Sequence, residues 1–163
     1  MAFILFISFI ILLRVSELAL SKRNEKWLLQ NGAVEYGRQH YPFIIALHIS
    51  FLLSLIIEYL VKLPQSYSLF FIIFYLILLL IKVWIIVSLG KFWNTRIYHI
   101  AKFQLVKKGP YNYFKHPNYL VVIAEIAVIP LAFHLYFTAI FFSVLDAVML
   151  YVRIKEENKA LGI

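Results

Sequence analysis

Cysteine is absent from this chain of 163 residues, and charged residues make up only 15% of it. Without thiols the chain can form no disulfide, thiolate metal site or cysteine nucleophile, and it cannot be lipidated at cysteine. Hydrophobic residues make up 63% of the chain, and the interior of a soluble domain of this length is too small to bury so many. The sequence therefore predicts a single all-α domain, residues 1–163, that is embedded in a lipid bilayer.

Several site-forming motifs are also missing. The five histidines are dispersed, and no pair has the spacing that would place two metal ligands on one helix face. The sequence contains no phosphate-binding loop, no dinucleotide-binding glycine motif and no serine-hydrolase elbow. No nucleic-acid-binding motif is visible, so contacts with anionic lipid headgroups explain the net charge of +8 better. We therefore expect no metal centre and no nucleic-acid partner, but an environment of membrane lipids.

Long hydrophobic runs are what the chain has in abundance. A helix rises about 1.5 Å per residue, so about 20 residues are needed to cross about 30 Å of hydrocarbon. Five runs approach or exceed that length, the fourth being short and the last two forming a hairpin. The predicted spans are at about residues 2–20, 41–61, 66–89, 117–133 and 134–152.

Lysine and arginine set the predicted orientation. Of the 16 such residues, 13 fall in segments 21–40, 90–116 and 153–163, which lie on one side of the five predicted spans. Since cytoplasmic loops carry the excess of positive charge, we expect an outside N-terminus and a cytoplasmic C-terminus in a multi-pass protein of the cell membrane. Arg14 and Lys82 lie inside predicted spans, and we expect their long side chains to snorkel towards the basic side.

The segment before the fourth predicted span carries one candidate site. It reads GPYNYFKHPNYL over residues 109–120, with a turn signal at Gly109-Pro110 and Pro117 in the first helical turn. This pattern puts His116 at the mouth of the helix, beside free backbone N–H groups that suit an anionic ligand. The alternative interpretation is a belt of basic and aromatic side chains at the membrane interface.

The end of the fifth predicted span carries a second candidate site. Arg153, Glu156 and Glu157 are three or four residues apart, so they share one face if the helix continues. The predicted topology puts this face on the same side of the membrane as His116, where a carboxylate could accept two ribose hydroxyl groups. A solvated helix end with a weak salt bridge is the alternative.

Acidic residues within the hydrophobic runs are a third clue, because charge is costly in hydrocarbon and such groups usually face a bundle interior. Glu125 stands about two turns into the fourth span and is expected to point into the bundle below His116. Glu17 and Asp146 are expected to be structural.

The connection after the first span is polar but includes regularly placed apolar residues. It predicts a separate interfacial helix followed by a turn at Asn31-Gly32. Asn24, Glu35 and His40 in this connection are candidates for binding a substrate headgroup, with ordinary surface polarity as the alternative.

The ordered pair GPYNYFKHPNYL and RIKEENKAL, separated by one hydrophobic hairpin, resembles the isoprenylcysteine carboxyl methyltransferase family of integral-membrane enzymes. The chain is similar to the bacterial subgroup, which includes alkylpyrone O-methyltransferases, also in SLGKFWNTRI at 88–97 and through most of segments 14–42 and 116–133. Lys115 departs from the family pattern, which usually has arginine before HisPro. An ammonium group cannot reproduce the two-pronged binding of a carboxylate by a guanidinium.

The resemblance implies an S-adenosylmethionine-dependent O-methyltransferase with its cofactor half at about residues 88–163 and a lipid-side opening for a lipophilic small molecule. The expected acceptor is an acidic oxygen, either a carboxylate or the hydroxyl of an alkylpyrone. Arg96 or Arg153 would neutralise the acceptor, and Glu125 would orient it. The residues that the resemblance assigns to cofactor binding are His116, Tyr119, Arg153, Glu156 and Glu157.

Two other functions stay open from the sequence. A membrane reductase of the sterol reductase type would use NADPH in a similar C-terminal half, although this chain has little room for the second nucleotide and its phosphates. A non-enzymatic membrane subunit or transporter would place charged residues along a path through the bundle. Most charged residues here are predicted to cluster at one mouth instead.

Overall fold

The computed structural model describes residues 1–101, 103 and 106–162, and most of these residues are helical. In this part of the chain there are five α-helices and a two-stranded sheet. The helices are α1 (Ala2–Gln30), α2 (Tyr41–Lys62), α3 (Leu69–Leu89), α4 (Pro117–Leu131) and α5 (Tyr136–Leu161). The strands are β1 (Val34–Tyr36) and β2 (Ile97–His99), and two 3-10 turns are formed by Gly90–Phe92 and Gly109–Asn112.

Four of the described helices, α1, α2, α3 and α5, are long and apolar enough to cross a membrane. Helix α4 has 15 residues and is about 22 Å long at about 1.5 Å per residue, which is shorter than the hydrocarbon layer. It packs against both α3 and α5 and joins α5 through a tight turn at Ala132–Leu135. The predicted hairpin and the short fourth helix are thus confirmed, while the number of complete spans and their orientation stay predictions.

Helix α1 is longer than the first predicted span. It has 29 residues and is about 44 Å long, so about ten residues extend beyond a hydrocarbon layer of about 30 Å. The prediction of a separate interfacial helix is wrong, because segment 21–30 contains no glycine or proline and continues α1 without a break. The predicted turn at Asn31-Gly32 is confirmed, and Gly32 has a φ of +82°.

Helix α5 also passes its predicted end at residue 152 and runs to Leu161. The two-stranded sheet was not predicted, because strands of three residues are too short to show an alternating pattern. Strands β1 and β2 are antiparallel, with Glu35 opposite Tyr98. The sheet joins the connection between α1 and α2 to the connection between α3 and α4.

Four charged side chains meet inside the bundle and form what we call the inner charge cluster: Arg14, Glu17, Lys82 and Glu125. Glu125 Oε2 lies 2.7 Å from Arg14 Nη2 and 2.5 Å from Lys82 Nζ. The Glu17 carboxylate lies 2.8 Å from Arg14 and 3.1 Å from Lys82. Glu125 is fully buried, as predicted. The prediction that Arg14 and Lys82 snorkel is wrong, because carboxylates inside the bundle compensate their charges.

Candidate functional site

The turn that carries the motif before α4 packs closely on α3. Gly109 has a φ of +58°, and a Cβ atom at this position would collide with the side chain of Ser88. Pro110 is buried, and Pro117 begins α4, as the sequence predicts. The close approach of the turn to α3 therefore depends on glycine. His116, the N-cap residue of α4, lies against the end of α5.

Tyr119 connects the residues at this end of the bundle. Its hydroxyl donates a hydrogen bond to Glu157 and accepts one of 2.8 Å from Arg153 Nε. The Arg153 guanidinium also lies over the Tyr119 ring, 5.4 Å from its centroid. The His116 ring stacks against the Tyr119 ring with 5.4 Å between the two centroids. We call His116, Tyr119, Arg153 and Glu157 the mouth cluster.

Glu157 also favours the protonated form of His116. His116 Nδ1 lies 3.3 Å from Glu157 Oε2, and Nε2 lies 3.2 Å from the side-chain oxygen of Asn158. The hydrogen bond with Glu157 and the negative charge of that carboxylate raise the pKa of His116 above its usual value of 6.5. Because both ring nitrogens face oxygen acceptors, the geometry suits the doubly protonated imidazolium.

Arg153 joins α5 to the segment before β2. Its guanidinium donates a hydrogen bond to the backbone carbonyl of Thr95 in addition to the Tyr119 hydroxyl. Among the described residues, no carboxylate lies within salt-bridge distance of Arg153. Its neutral partners hold the guanidinium in place, and the positive charge can bind an anionic ligand.

Two cavities meet at the mouth cluster. One, of about 260 Å³, is mostly apolar and extends into the bundle; we call it the apolar cavity. The other, of about 100 Å³, is the polar cavity. The apolar lining of the first includes Ile10, Phe51, Leu52, Val122 and Ile129. The polar cavity is lined by groups such as Asn94, Arg96, Tyr98, Lys115, His116 and Glu157. The residues common to both cavities are Trp93, Asn94, Asn118, Tyr119 and Arg153.

The polar cavity has donors and acceptors that suit a nucleoside carrying an amino-acid group. Glu157 can accept hydrogen bonds from hydroxyl or ammonium groups, and Arg153 can donate to a carboxylate. Trp93 lines both cavities, and its Nε1 is buried with no hydrogen-bond partner in the described part of the chain. A site for a ligand of that size usually measures about 300–1,000 Å³, so the polar cavity of about 100 Å³ encloses only part of such a ligand.

Arg96 lies in the polar cavity, but carboxylates compensate its charge. Its Nη1 lies 3.1 Å from Glu35 and 3.6 Å from Glu25, and the guanidinium stacks 4.5 Å from the centroid of the Tyr41 ring. Glu25 also accepts a hydrogen bond of 2.8 Å from Tyr98, and burial together with this bond raises the pKa of Tyr98 to about 12. Together these contacts hold the two-stranded sheet against α1 and α2.

The other residues singled out from the sequence lie outside the mouth cluster. Glu156 pairs with Lys159 at 2.7 Å and lines a small cleft with Glu35 and His40, so the two adjacent glutamates face different surroundings. Asn24 is buried, and its amide donates to the backbone carbonyls of Gly90 and Trp93.

Glu125 lies deeper in the bundle, where its Oε2 binds both cations of the inner charge cluster.

The sequence reasoning missed three residues that line both cavities: Trp93, Asn94 and Asn118. Most of the residues that it singled out are ionisable, whereas these three are neutral. A signal was nevertheless present, because Asn118 follows HisPro directly and Trp93-Asn94 lies within the segment SLGKFWNTRI.

Comparison with known proteins gives three findings. The profile of the isoprenylcysteine carboxyl methyltransferase family matches residues 71–163, which include the whole mouth cluster. The uncharacterized protein YpbQ of Bacillus subtilis is 46% identical over 161 residues, which cover 98% of this chain and 96% of that protein. An uncharacterized protein of Haemophilus influenzae is 28% identical over 159 residues, which cover 94% of this chain and 91% of that protein. No solved structure matches the chain.

Proposed function

Because the chain belongs to the isoprenylcysteine carboxyl methyltransferase family, we propose that it is an integral-membrane methyltransferase that uses S-adenosylmethionine to methylate an oxygen atom of a lipophilic acid. The observation that carries the proposal is the junction of the polar and apolar cavities at Asn118, Tyr119 and Arg153. A water-soluble methyl donor and a lipophilic acceptor need separate compartments that meet where the methyl group is transferred.

The mouth cluster is the proposed cofactor site. When bound, S-adenosylmethionine supplies a methyl group on a positively charged sulfur, which an oxygen anion can attack directly. In this proposal Glu157 accepts hydrogen bonds from the ribose or the ammonium group, and protonated His116 holds Glu157 in place. Tyr119 and Arg153 complete the site, and Glu156 lies at its edge.

The apolar cavity is the proposed acceptor site. Its aliphatic and aromatic lining favours a hydrocarbon tail, and the tail would displace water from the junction. Arg153 lies at the junction and neutralises the acidic oxygen, so an acceptor that is already ionised needs no separate base. Arg96, the other candidate for this role, lines the polar cavity, but Glu25 and Glu35 already compensate its charge, so Arg153 suits the role better. Holding the two reacting groups in line can supply most of the rate acceleration.

The acceptors that fit this chemistry are lipophilic carboxylates and acidic hydroxyls such as that of an alkylpyrone. Glu125 would orient the acceptor through the inner charge cluster, whose Arg14 and Lys82 line the apolar cavity. Glu35 and His40 would contact the headgroup from the small cleft, which shares Tyr41 with the apolar cavity.

Asn24, on α1, would act on the substrate indirectly. Its amide already bonds to two backbone carbonyls, so its contribution would be to hold the Trp93 segment against the substrate. We place the whole site on the cytoplasmic side of the cell membrane, where the cofactor is available.

The experiment is calorimetric titration of the detergent-purified protein with S-adenosylhomocysteine, with NADPH as the matched control. We expect saturable binding of S-adenosylhomocysteine alone. Replacing Glu157 by Gln should weaken this binding about 10- to 100-fold, the usual loss for a hydrogen bond to a charged group. The adjacent Glu156→Gln variant is the control and should change the affinity by less than about threefold.

Two outcomes would overturn the proposal. Binding of NADPH without S-adenosylhomocysteine would assign the protein to the reductases. Unchanged binding by Glu157→Gln would show that the mouth cluster does not hold the cofactor. With binding established, labelled methyl donor should transfer its methyl group to lipophilic carboxylates or alkylpyrones in the presence of the parent protein.

A further inference from the structure

Ionisable side chains line part of the apolar cavity well inside the bundle. Arg14, Glu17, Lys82 and Asp146 belong to this lining, together with His48. Placing ionisable groups at membrane depth is costly, and they are usually retained there for a function. A cavity that held only a hydrocarbon tail would gain nothing from them.

Asp146 is the member of this lining whose interactions are incomplete. Arg14, Glu17 and Lys82 compensate one another, with Glu125, in the inner charge cluster. Asp146 is only 2% exposed, and its Oδ2 has no hydrogen-bond partner among the residues that the structure describes. A buried carboxylate oxygen without a partner costs free energy, so this position favours a ligand that can satisfy it.

A hydroxyl group is the ligand chemistry that matches Asp146 best. A hydroxyl donates a hydrogen bond to a carboxylate and accepts one from a protonated carboxyl group, so it satisfies Asp146 in either state. It also adds little polarity to a molecule that must partition into an apolar cavity. An alkyl tail alone offers no hydrogen bond to Asp146 Oδ2.

The backbone spacing of Asp146 and Arg153 on α5 gives the approximate distance between this hydroxyl and the reacting oxygen. Asp146 and Arg153 are seven residues apart on α5, which is about 10 Å along the helix. Both line the apolar cavity, and Arg153 lies at its junction with the polar cavity. We propose that the lipophilic acceptor carries a hydroxyl group about 10 Å from the oxygen that is methylated, and that Asp146 binds this hydroxyl. This inference rests on the proposed function for the identity of the reacting end.

The test compares two probes of equal chain length, octanoate and ω-hydroxyoctanoate. Nine bonds separate the hydroxyl oxygen of ω-hydroxyoctanoate from a carboxylate oxygen, which is about 10–11 Å in an extended chain, because three backbone bonds span about 3.3–3.6 Å. Binding of each probe to the full-length protein in detergent is measured by calorimetry. We expect ω-hydroxyoctanoate to bind about tenfold more tightly than octanoate, the effect of one buried hydrogen bond to a charged group.

Three variants assign this preference to Asp146. The Asp146→Leu variant should bind the two probes equally. Asp146→Asn keeps the shape and an acceptor oxygen but loses the charge, so its preference should fall to about threefold. Leu145→Ala changes an adjacent, partly exposed residue of α5 and should keep the preference of the parent.

Equal binding of the two probes by the parent, or failure of both to bind folded protein, overturns the inference. A full preference in Asp146→Leu or Asp146→Asn overturns it as well. Titration of the same preparations with S-adenosylhomocysteine separates this result from the proposed function. If the parent binds S-adenosylhomocysteine but shows no hydroxyl preference, only the role of Asp146 is refuted, whereas failure of the parent to bind S-adenosylhomocysteine refutes the methyltransferase site.

Discussion

At the scale of single residues, the mouth cluster depends on the two opposite roles of the Tyr119 hydroxyl. It accepts a hydrogen bond from Arg153 and donates one to Glu157, so a cation and a carboxylate are held close together without a direct salt bridge. His116 contacts the same carboxylate from α4. A ligand with groups of both signs can therefore bind with little rearrangement of these side chains.

The raised pKa of His116 predicts a dependence of stability on pH. A histidine whose pKa is higher in the folded than in the unfolded protein stabilises the fold fully below its unfolded pKa of about 6.5, and this stabilisation is lost as the pH rises through the folded-state pKa. The parent should therefore unfold at a higher temperature than His116→Gln at about pH 6, and the difference should shrink by about pH 8.5. Thermal unfolding in detergent measures both proteins.

A difference between parent and variant that stays constant over this range would contradict the assigned interaction. Glu157→Gln provides the control, because without the carboxylate the pKa of His116 should return towards its usual value. The pH dependence should then be weaker in that variant, although His116 is still present.

At the scale of elements, charged side chains connect α1 to α3 and α4 inside the bundle. Arg14 comes from α1, Lys82 from α3 and Glu125 from α4. Burying a charge pair is costly in itself, but removing one partner leaves the others uncompensated, which costs more. The inner charge cluster therefore favours the arrangement of these three helices over alternatives that separate the charges.

Glu125 is the member on which the inner charge cluster depends most. In the Glu125→Leu variant, Glu17 is the one carboxylate of the cluster that remains to compensate both Arg14 and Lys82. This replacement should lower the free energy of unfolding by about 3–5 kcal/mol. Glu17→Leu is the comparison and should cost less, because Glu17 is 16% exposed and lies farther from both cations than the fully buried Glu125. Thermal unfolding, followed by circular dichroism, compares the stability of the two variants. If Glu17→Leu were the less stable, the inner charge cluster would depend more on Glu17 than on Glu125.

At the scale of the whole molecule, the orientation in the membrane decides where the proposed cofactor site opens. The mouth cluster lies at the end of the bundle where α1 and α5 extend beyond the length of the hydrocarbon. Basic residues are concentrated in the same connections. These two features agree with the prediction that the mouth cluster faces the cytoplasm.

The absence of cysteine makes this orientation directly testable, because each introduced thiol is the only one in the chain. Lys107, in the connection before α4, and Gln65, in the connection between α2 and α3, are both exposed, and each is replaced by cysteine in a separate variant. In intact cells a membrane-impermeant thiol reagent should label Gln65→Cys and should label Lys107→Cys only after permeabilisation. The opposite pattern would place the mouth cluster outside the cell.

Local patterns were enough to predict much of the fold. Hydrophobic runs predicted the helices, because a helix in lipid must satisfy its own backbone and present apolar side chains along its length. Sequence motifs also identified Gly109-Pro110, Pro117 and the end of α5 as elements of one site, because each motif consists of residues that are close together in the sequence. The full extent of α1 was missed because segment 21–30 is polar yet strongly helix-forming.

Which of these residues meet was decided by tertiary structure. Spacing on a helix could not show that Glu157 joins His116 while Glu156 turns to Lys159 and the cleft, because that depends on how α4 and α5 pack. The sequence by itself determined a membrane bundle with a polar, basic end, since composition and hydrophobic length respond directly to the solvent. Only the packing of the helices placed Arg14 and Lys82 among buried carboxylates and brought a polar and an apolar cavity together at Tyr119 and Arg153, because contacts between distant segments leave no periodic trace in the chain.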